Sequence, residues 1–174
     1  FTQTCKFFNG TGSQAGTTLT SAGGSDVYLA AYNPNGTFLW ATRIGGSSEQ
    51  TAPRICVDAT GISIVGESIS SFTAGSTTAV NAASNSIIAL SSDKHVFLCR
   101  YSLTGVVNWV KEAYTSGTGN DAVGTVASDG FKIYVSLLGA SATLNWINGG
   151  VSLTPFTTHT SGGVGDQFLT AFDI

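Results

Sequence analysis

Few side chains in this sequence are of the kind that does chemistry. His95 and His159 are its only two histidines. Neither has a second His four residues away, the spacing that sets two imidazoles around a zinc ion on one helix face. No Gly-x-Ser-x-Gly elbow presents a nucleophilic serine, and no glycine-rich loop is followed by the Lys that a phosphate site requires. Glu49, Glu67 and Glu112 show no pairing that would suggest a general acid beside a general base. Ser116-Gly-Thr-Gly-Asn120-Asp121 is similar to the Gly- and Asp-rich loops that hold calcium through oxygen ligands, but it has one carboxylate. A turn closed by the Asp121 side chain is the competing reading. The chain is accordingly expected to be no enzyme, to bind no metal and to need no cofactor.

Other residues point to surfaces rather than reactions. Trp40 and Trp109 could stack on sugar rings or pack as core. Trp146, flanked by Leu144, Asn145, Ile147 and Asn148, is the better candidate for a ligand-contact surface. Asn9-Gly10-Thr11 and Asn35-Gly36-Thr37 both fit the N-glycosylation pattern and sit at expected turns. Cys5, Cys56 and Cys99 are an odd number, so one internal disulfide is the most they can form. The apolar settings of Cys56 and Cys99 suit small strand side chains.

Composition narrows the class. Charged residues make up 10% of the 174, where about a quarter is ordinary, while Ser and Thr fill roughly a quarter. With 42% hydrophobic residues, such a chain buries a core and is not of the disordered kind. A net charge of −3, with seven scattered Lys and Arg, offers no basic face for nucleic acid. No apolar run approaches the ~18 residues of a membrane span, and no segment at Phe1 has the form of a targeting peptide. The chain contains no Met, which suggests either a removed leader or a piece of a longer protein.

What must position these residues is a repeat. Asp26-Val-Tyr-Leu-Ala-Ala-Tyr-Asn-Pro-Asn-Gly-Thr-Phe-Leu-Trp40 returns without a gap as His95-Val-Phe-Leu-Cys-Arg-Tyr-Ser-Leu-Thr-Gly-Val-Val-Asn-Trp109, so 26 maps to 95 and 40 to 109. At the same offset Val57-Asp-Ala-Thr-Gly61-Ile-Ser-Ile-Val65 matches Val126-Ala-Ser-Asp-Gly130-Phe-Lys-Ile-Tyr134. A third copy starts at Asp166 and runs to Ile174. The expected organisation is one repeat domain over 1–174: a partial unit at 1–25, repeats at 26–94 and 95–165, and the first strand of a third at 166–174. His95 replaces Asp26 between copies, which reads as a variable surface position.

Each unit shows short alternating segments and no helical period. Strands are expected at 27–32 and 37–44 about the turn Asn33-Pro34-Asn35-Gly36, and at 54–57 and 62–68 about Asp58-Ala59-Thr60-Gly61. The fold class is all-β, with antiparallel four-stranded blade-like units and about two and a half repeats. The long links at 71–94 and 140–165 have room for extra strands.

The stretch from Gly16 to Gly46, above all Asp26-Val-Tyr-Leu-Ala-Ala-Tyr-Asn-Pro-Asn-Gly-Thr-Phe-Leu-Trp40, resembles the bacterial β-propeller repeat family of large secreted and surface proteins. The second unit departs from that pattern, with Ser102-Leu103-Thr104-Gly105 at the turn. The resemblance implies an extracellular or cell-surface scaffold without particular chemistry. A propeller needs about four to eight blades, so this chain cannot close alone. Its expected edges, carried by Phe7 and Phe8 at one end and Phe168, Leu169, Phe172 and Ile174 at the other, call for a partner. Three outcomes satisfy them: strand insertion into the next copy to give a filament, a closed ring as in small propeller lectins, or continuation within a longer propeller. The expected function is a non-catalytic structural or adhesive subunit that assembles with copies of itself by edge-strand complementation. A carbohydrate-binding module, with glycans as partners, is the alternative.

Overall fold

The computed structural model describes residues 1–75, 93–115, 119–140, 143–148, 157–160, 162 and 165–174, and the backbone of 86–87. The described residues contain strands and turns and no helix. The strands are β1 (Thr4–Phe8), β2 (Gln14–Thr20), β3 (Val27–Tyr32), β4 (Phe38–Gly46), β5 (Gln50–Asp58), β6 (Gly61–Ser68), β7 (Phe72–Ala74) and β8 (Ser86–Ile87), then β9 (His95–Tyr101), β10 (Val107–Thr115), β11 (Ala122–Ser128), β12 (Lys132–Gly139), β13 (Thr143–Asn148), β14 (Thr157–Thr160) and β15 (Asp166–Asp173). All pairings are antiparallel.

The turns explain why these residues fold back where they do. At Asn33, the amide bonds to the Thr37 carbonyl and the Gly36 amide returns to the Asn33 carbonyl; Ser102 with Val106 and Gly105 does the same. Asn9 with Ser13 and Gly12 makes the turn a third time. Each places its glycine at a φ of 81 to 83°, in the left-handed region that closes a type I turn with a bulge. The replacement of Asn33-Pro34-Asn35 by Ser102-Leu103-Thr104 leaves the turn intact, because only the glycine is stereochemically demanding.

Strand order corrects the four-stranded unit. The hairpins β3–β4 and β5–β6 do not share a sheet. The first sheet runs β3-β4-β7-β8, the second β5-β6-β9-β10-β13-β14 and the third β11-β12-β15, with β1-β2 as a separate ribbon. The chain therefore alternates between neighbouring sheets: β5–β6 enters the second, β7–β8 returns to the first, β9–β10 goes back to the second, β11–β12 opens the third. The links at 71–94 and 140–165 supply β7 and β8, which bring the first sheet to four strands, and β13 and β14, which bring the second to six. No closed ring is formed among the described residues.

The register also shifts the second half of the repeat. Trp40 faces Ala31 as Trp109 faces Arg100, which preserves the offset of 69. In the β5–β6 turn, Asp58 Oδ1 accepts the amides of Thr60 and Gly61; in the β11–β12 turn, Asp129 Oδ1 accepts those of Phe131 and Lys132. Asp58 thus matches Asp129 at an offset of 71, two more than the sequence match at Val57. The longer connection between β10 and β11 accounts for the two residues.

Burial follows from stacking the sheets face to face. One apolar layer joins the first and second sheets through Leu29, Ile44 and Phe72 against Ile64, Phe97 and Tyr101, with the Phe72 and Phe97 rings 4.9 Å apart. A second layer joins the second and third sheets through Val65, Leu98, Leu144 and Trp146 against Ile133, Val135 and Phe172. Every residue of β6 and β9 is buried, since both faces of the second sheet are covered. Each fully buried Val, Leu or Phe here contributes about 1.5–3 kcal/mol.

Trp40 locks the first sheet to the next hairpin. Its Nε1 donates to the Leu103 carbonyl at 3.2 Å, and a Cβ on Gly105 would lie 2.6 Å from its ring. Gly105→Ala therefore meets both a clash and a left-handed φ of 81°. It is expected to cost about 2–3 kcal/mol in urea denaturation. Gly130→Ala, with a φ of 89° but nothing within 4 Å, is expected to cost about 1 kcal/mol. Equal losses would show that contact with Trp40 is immaterial.

Candidate functional site

The polar side chains collect at the two ends of the second sheet. At one end, His95 opens β9 and Glu112 lies on the neighbouring β10; His95 Nδ1 and Glu112 Oε1 are 2.7 Å apart, with the side chains 6% and 3% exposed. His95 is thus a buried residue hydrogen-bonded to Glu112, which corrects its reading as a surface position. The repeat explains the burial, because Asp26 at the matching position is also buried and faces Arg43, the counterpart of Glu112, at 3.8 Å. The pair keeps its place, with the acidic and basic side chains exchanged between the two strands. Burial pushes the Glu112 carboxyl up, against the opposing effect of His95. Glu112 Oε2 has no hydrogen-bond partner among the described residues.

Beside this pair, Asp121 accepts the Thr115 amide, the Thr115 hydroxyl and the Ala140 amide, each at 3.0 Å. Its side chain thus ties the end of β10 to the start of β11 and to the end of β12. The rest of the suggested calcium loop, Ser116 to Thr118, lies outside the described residues. Gln50 repeats the role of Asp121 one unit earlier, accepting the Gly46 amide at 2.9 Å. Glu67 accepts from Lys94 Nζ and from the Val123 amide, both at 3.2 Å, so it links the second sheet to the third. Among the described residues no group of three His, Cys, Asp or Glu could hold a metal ion.

At the other end, Arg100 is buried inside the stack. It donates to Asp58 Oδ1 at 2.7 Å, Thr60 Oγ1 at 2.6 Å and Ser63 Oγ at 2.9 Å, while the Ser128 hydroxyl of the third sheet donates to Asp58 Oδ2 at 2.7 Å. The Arg100 guanidinium foremost, with the Ser128 and Thr60 hydroxyls, holds the Asp58 carboxyl well below its ordinary value. This clamp ties sheet to sheet and exposes no reactive atom. Arg100 has no charged precursor in the first repeat, where Ala31 occupies its place.

The expected edge residues divide. β1 is not a lone strand: it pairs with β2, and Phe7 is buried against the rings of Tyr28 and Phe38. Phe8 is exposed. β15 pairs with β12 over eight residues, from Asp166 opposite Gly139 to Asp173 opposite Lys132. Phe168 and Phe172 are buried by the second sheet, while Leu169 is 70% and Ile174 42% exposed. The C-terminal strand is therefore covered on one face and open on the other. Its second hydrogen-bonding edge has no strand beside it among the described residues, and the same holds for β3.

Trp146 is no surface residue. It is fully buried, donates from Nε1 to Thr170 Oγ1 at 3.1 Å and meets the Phe172 ring edge-on at 4.8 Å. It stands where the first repeat has Ala74, since Ala113 faces Trp146 as Ile44 faces Ala74. The large ring fills the layer between the second and third sheets. Trp40 and Trp109 pack against the two apolar layers. Asn35 is exposed at its turn, whereas Asn9 is half-buried with Oδ1 accepting the Phe38 amide at 2.9 Å. His159 is half-buried on β14, its ring 6.2 Å from Phe168. The three cysteines are free thiols, Cys99 fully buried.

Compared with known proteins, the chain matches no family model and no curated protein. The resemblance to β-propeller repeats rests on the residues that carry it.

The exchanged pair gives a double-mutant test. His95→Asp and Glu112→Arg are each expected to destabilise by about 2–4 kcal/mol by leaving a buried charge unmatched. Combined, they recreate the Asp26–Arg43 arrangement, and about 1–3 kcal/mol should return as coupling in thermal unfolding. Strict additivity would show the two sites independent. Arg100→Met is expected to cost about 3–5 kcal/mol at neutral pH. Because the Asp58 pKa is depressed, its stabilisation is present above the ordinary value of 3.8 and is lost as pH falls below it. Acid unfolding of Arg100→Met should therefore be less steep below that pH than in the parent protein.

Proposed function

We propose that this chain is a non-catalytic extracellular structural subunit that assembles with other copies of itself through its sheet edges into a filament or surface structure. The observation that carries this reading is the contrast between sheets. The second sheet has both faces covered, whereas the third leaves its outer face uncovered and ends in β15, whose outer hydrogen-bonding edge is open among the described residues. Open edges of this kind either recruit a strand or are shielded by charge, proline or a covering segment. Here β15 shows Gln167, Leu169 and Ala171 on its open face, with Asp173 alone charged.

Supporting this are the composition and the polar groups. A surface rich in Ser and Thr and poor in charge suits close packing against further protein outside the cell. Most of the buried ionisable groups are committed to contacts between strands or sheets.

The test is direct. The purified chain should form particles or filaments much heavier than its 17.8 kDa in sedimentation velocity and electron microscopy, without added ligand. Immunogold labelling of intact cells should place it outside. A monodisperse monomer at all accessible concentrations would overturn the reading. Deleting 166–174 would be a poor probe, since it also removes Phe168 and Phe172 from the core.

A further inference from the structure

The first strand of the repeat occurs three times, and at its third occurrence the strand that should follow it is missing among the described residues. β15 matches β3 and β9, with Asp166 in the place of Asp26 and His95. Each earlier strand is bonded along one edge by the next strand of its hairpin, β3 by β4 and β9 by β10. On its other edge β9 is bonded by β6, and β15 is bonded in the same way by β12, from Gly139 to Lys132. The edge of β15 left open is therefore the one that corresponds to the β4 and β10 side.

The charges at the start of these strands say what that edge receives. Arg43 stands opposite Tyr28 and reaches diagonally to Asp26; Glu112 stands opposite Phe97 and reaches in the same way to His95. In both repeats the side chain that opens the first strand meets its complement on the second. Asp166 is set like Asp26. Its Oδ2 accepts the amide of Gly162, four residues back, at 2.9 Å, as Asp26 Oδ2 accepts that of Ala22 at 2.6 Å. Asp166 is half-buried and forms no ion pair among the described residues, and the place for its cation is opposite Phe168.

We propose that the open edge of β15 is a docking site for an extended strand of another polypeptide, one carrying a basic side chain that stands opposite Phe168 and pairs with Asp166. The strand is of the β4 kind. Ala41 and Phe38 of β4 stand opposite Ala30 and Tyr32, so small and aromatic side chains spaced in that way come to lie opposite Thr170 and Phe172. Beside them Trp109, half-buried with its ring 6.4 Å from that of Phe172, extends the apolar surface. Main-chain hydrogen bonds supply the affinity, and Asp166 selects by sign. A copy of this chain cannot offer β4 or β10, because each is held between two strands of its own sheet. The inference goes beyond the assembly reading and does not rest on it.

Peptides test it. Residues 37–46 are made as a labelled peptide, together with its Arg43→Glu form, and each is titrated into the intact chain by fluorescence anisotropy. The Arg peptide is expected to bind about tenfold more tightly. Asp166→Asn, which keeps an acceptor for the Gly162 amide, should abolish that preference, and Asp166→Lys should reverse it. With the Arg peptide bound, hydrogen exchange should slow along β15 and not along β3. No binding, equal binding of the two peptides to the parent chain, or protection at β3 would overturn the proposal. A monomer of 17.8 kDa that binds the Arg peptide selectively would overturn the assembly reading and keep this one, and assemblies that bind neither peptide would do the reverse.

Discussion

The fold depends on one constraint: the second sheet is apolar on both faces and must be covered on both. β6 carries Ile62 and Ile64 toward one neighbour and Val65 toward the other; β9 carries Phe97, Cys99 and Tyr101 one way and Val96 and Leu98 the other. Neither strand has a polar face to give to water, apart from the side chains that pair at its ends. A two-stranded ribbon or lone sheet of this composition would not persist, because a hairpin by itself is marginal in water. The stack of sheets follows from that, and so does the order in which the chain visits them. By placing successive hairpins in alternate sheets, it stitches each apolar layer covalently from both sides.

The polar groups serve the same requirement. Most of the ionisable groups that enter the stack meet an ionisable partner, Arg100 with Asp58, His95 with Glu112, Asp26 with Arg43, because a buried charge without a partner is costly. The exchange of Asp26–Arg43 for His95–Glu112 between repeats shows that the stack demands a paired polar junction at this place without fixing which strand carries which sign. The clamp around Asp58 adds a second function, since Ser128 reaches it from the next sheet and so holds two sheets in register.

Much of this was legible in the residues. Alternation and the glycine turns define β3, β4, β9 and β10 and their offset of 69, because backbone stereochemistry at Gly36 and Gly105 and side-chain alternation act locally. What could not be read was which hairpins share a sheet. Strand pairing between β6 and β9 is a non-local choice, and four consecutive strands in sequence look the same whether they form one sheet or parts of two. The same limit misled the side-chain readings. Trp146 has no large counterpart in the first repeat, and His95 none of its type, so both resembled surface variation. Each is instead a change inside a buried layer, Trp146 standing where Ala74 stands and His95 where Asp26 stands. Asp58 and Arg100 carried no signal of their pairing, being separated by a strand and a sheet crossing.

Repetition itself explains why the two apolar layers are alike. A layer between the first and second sheets and a similar layer between the second and third are built from equivalent strands of successive repeats, so the two layers are versions of one interface. Outside these layers Leu138 and Leu169 on the third sheet and Ile55 and Val57 on β5 remain exposed. The apolar stacking that stabilises the chain is in that sense one interaction used twice, with the second sheet as the shared partner.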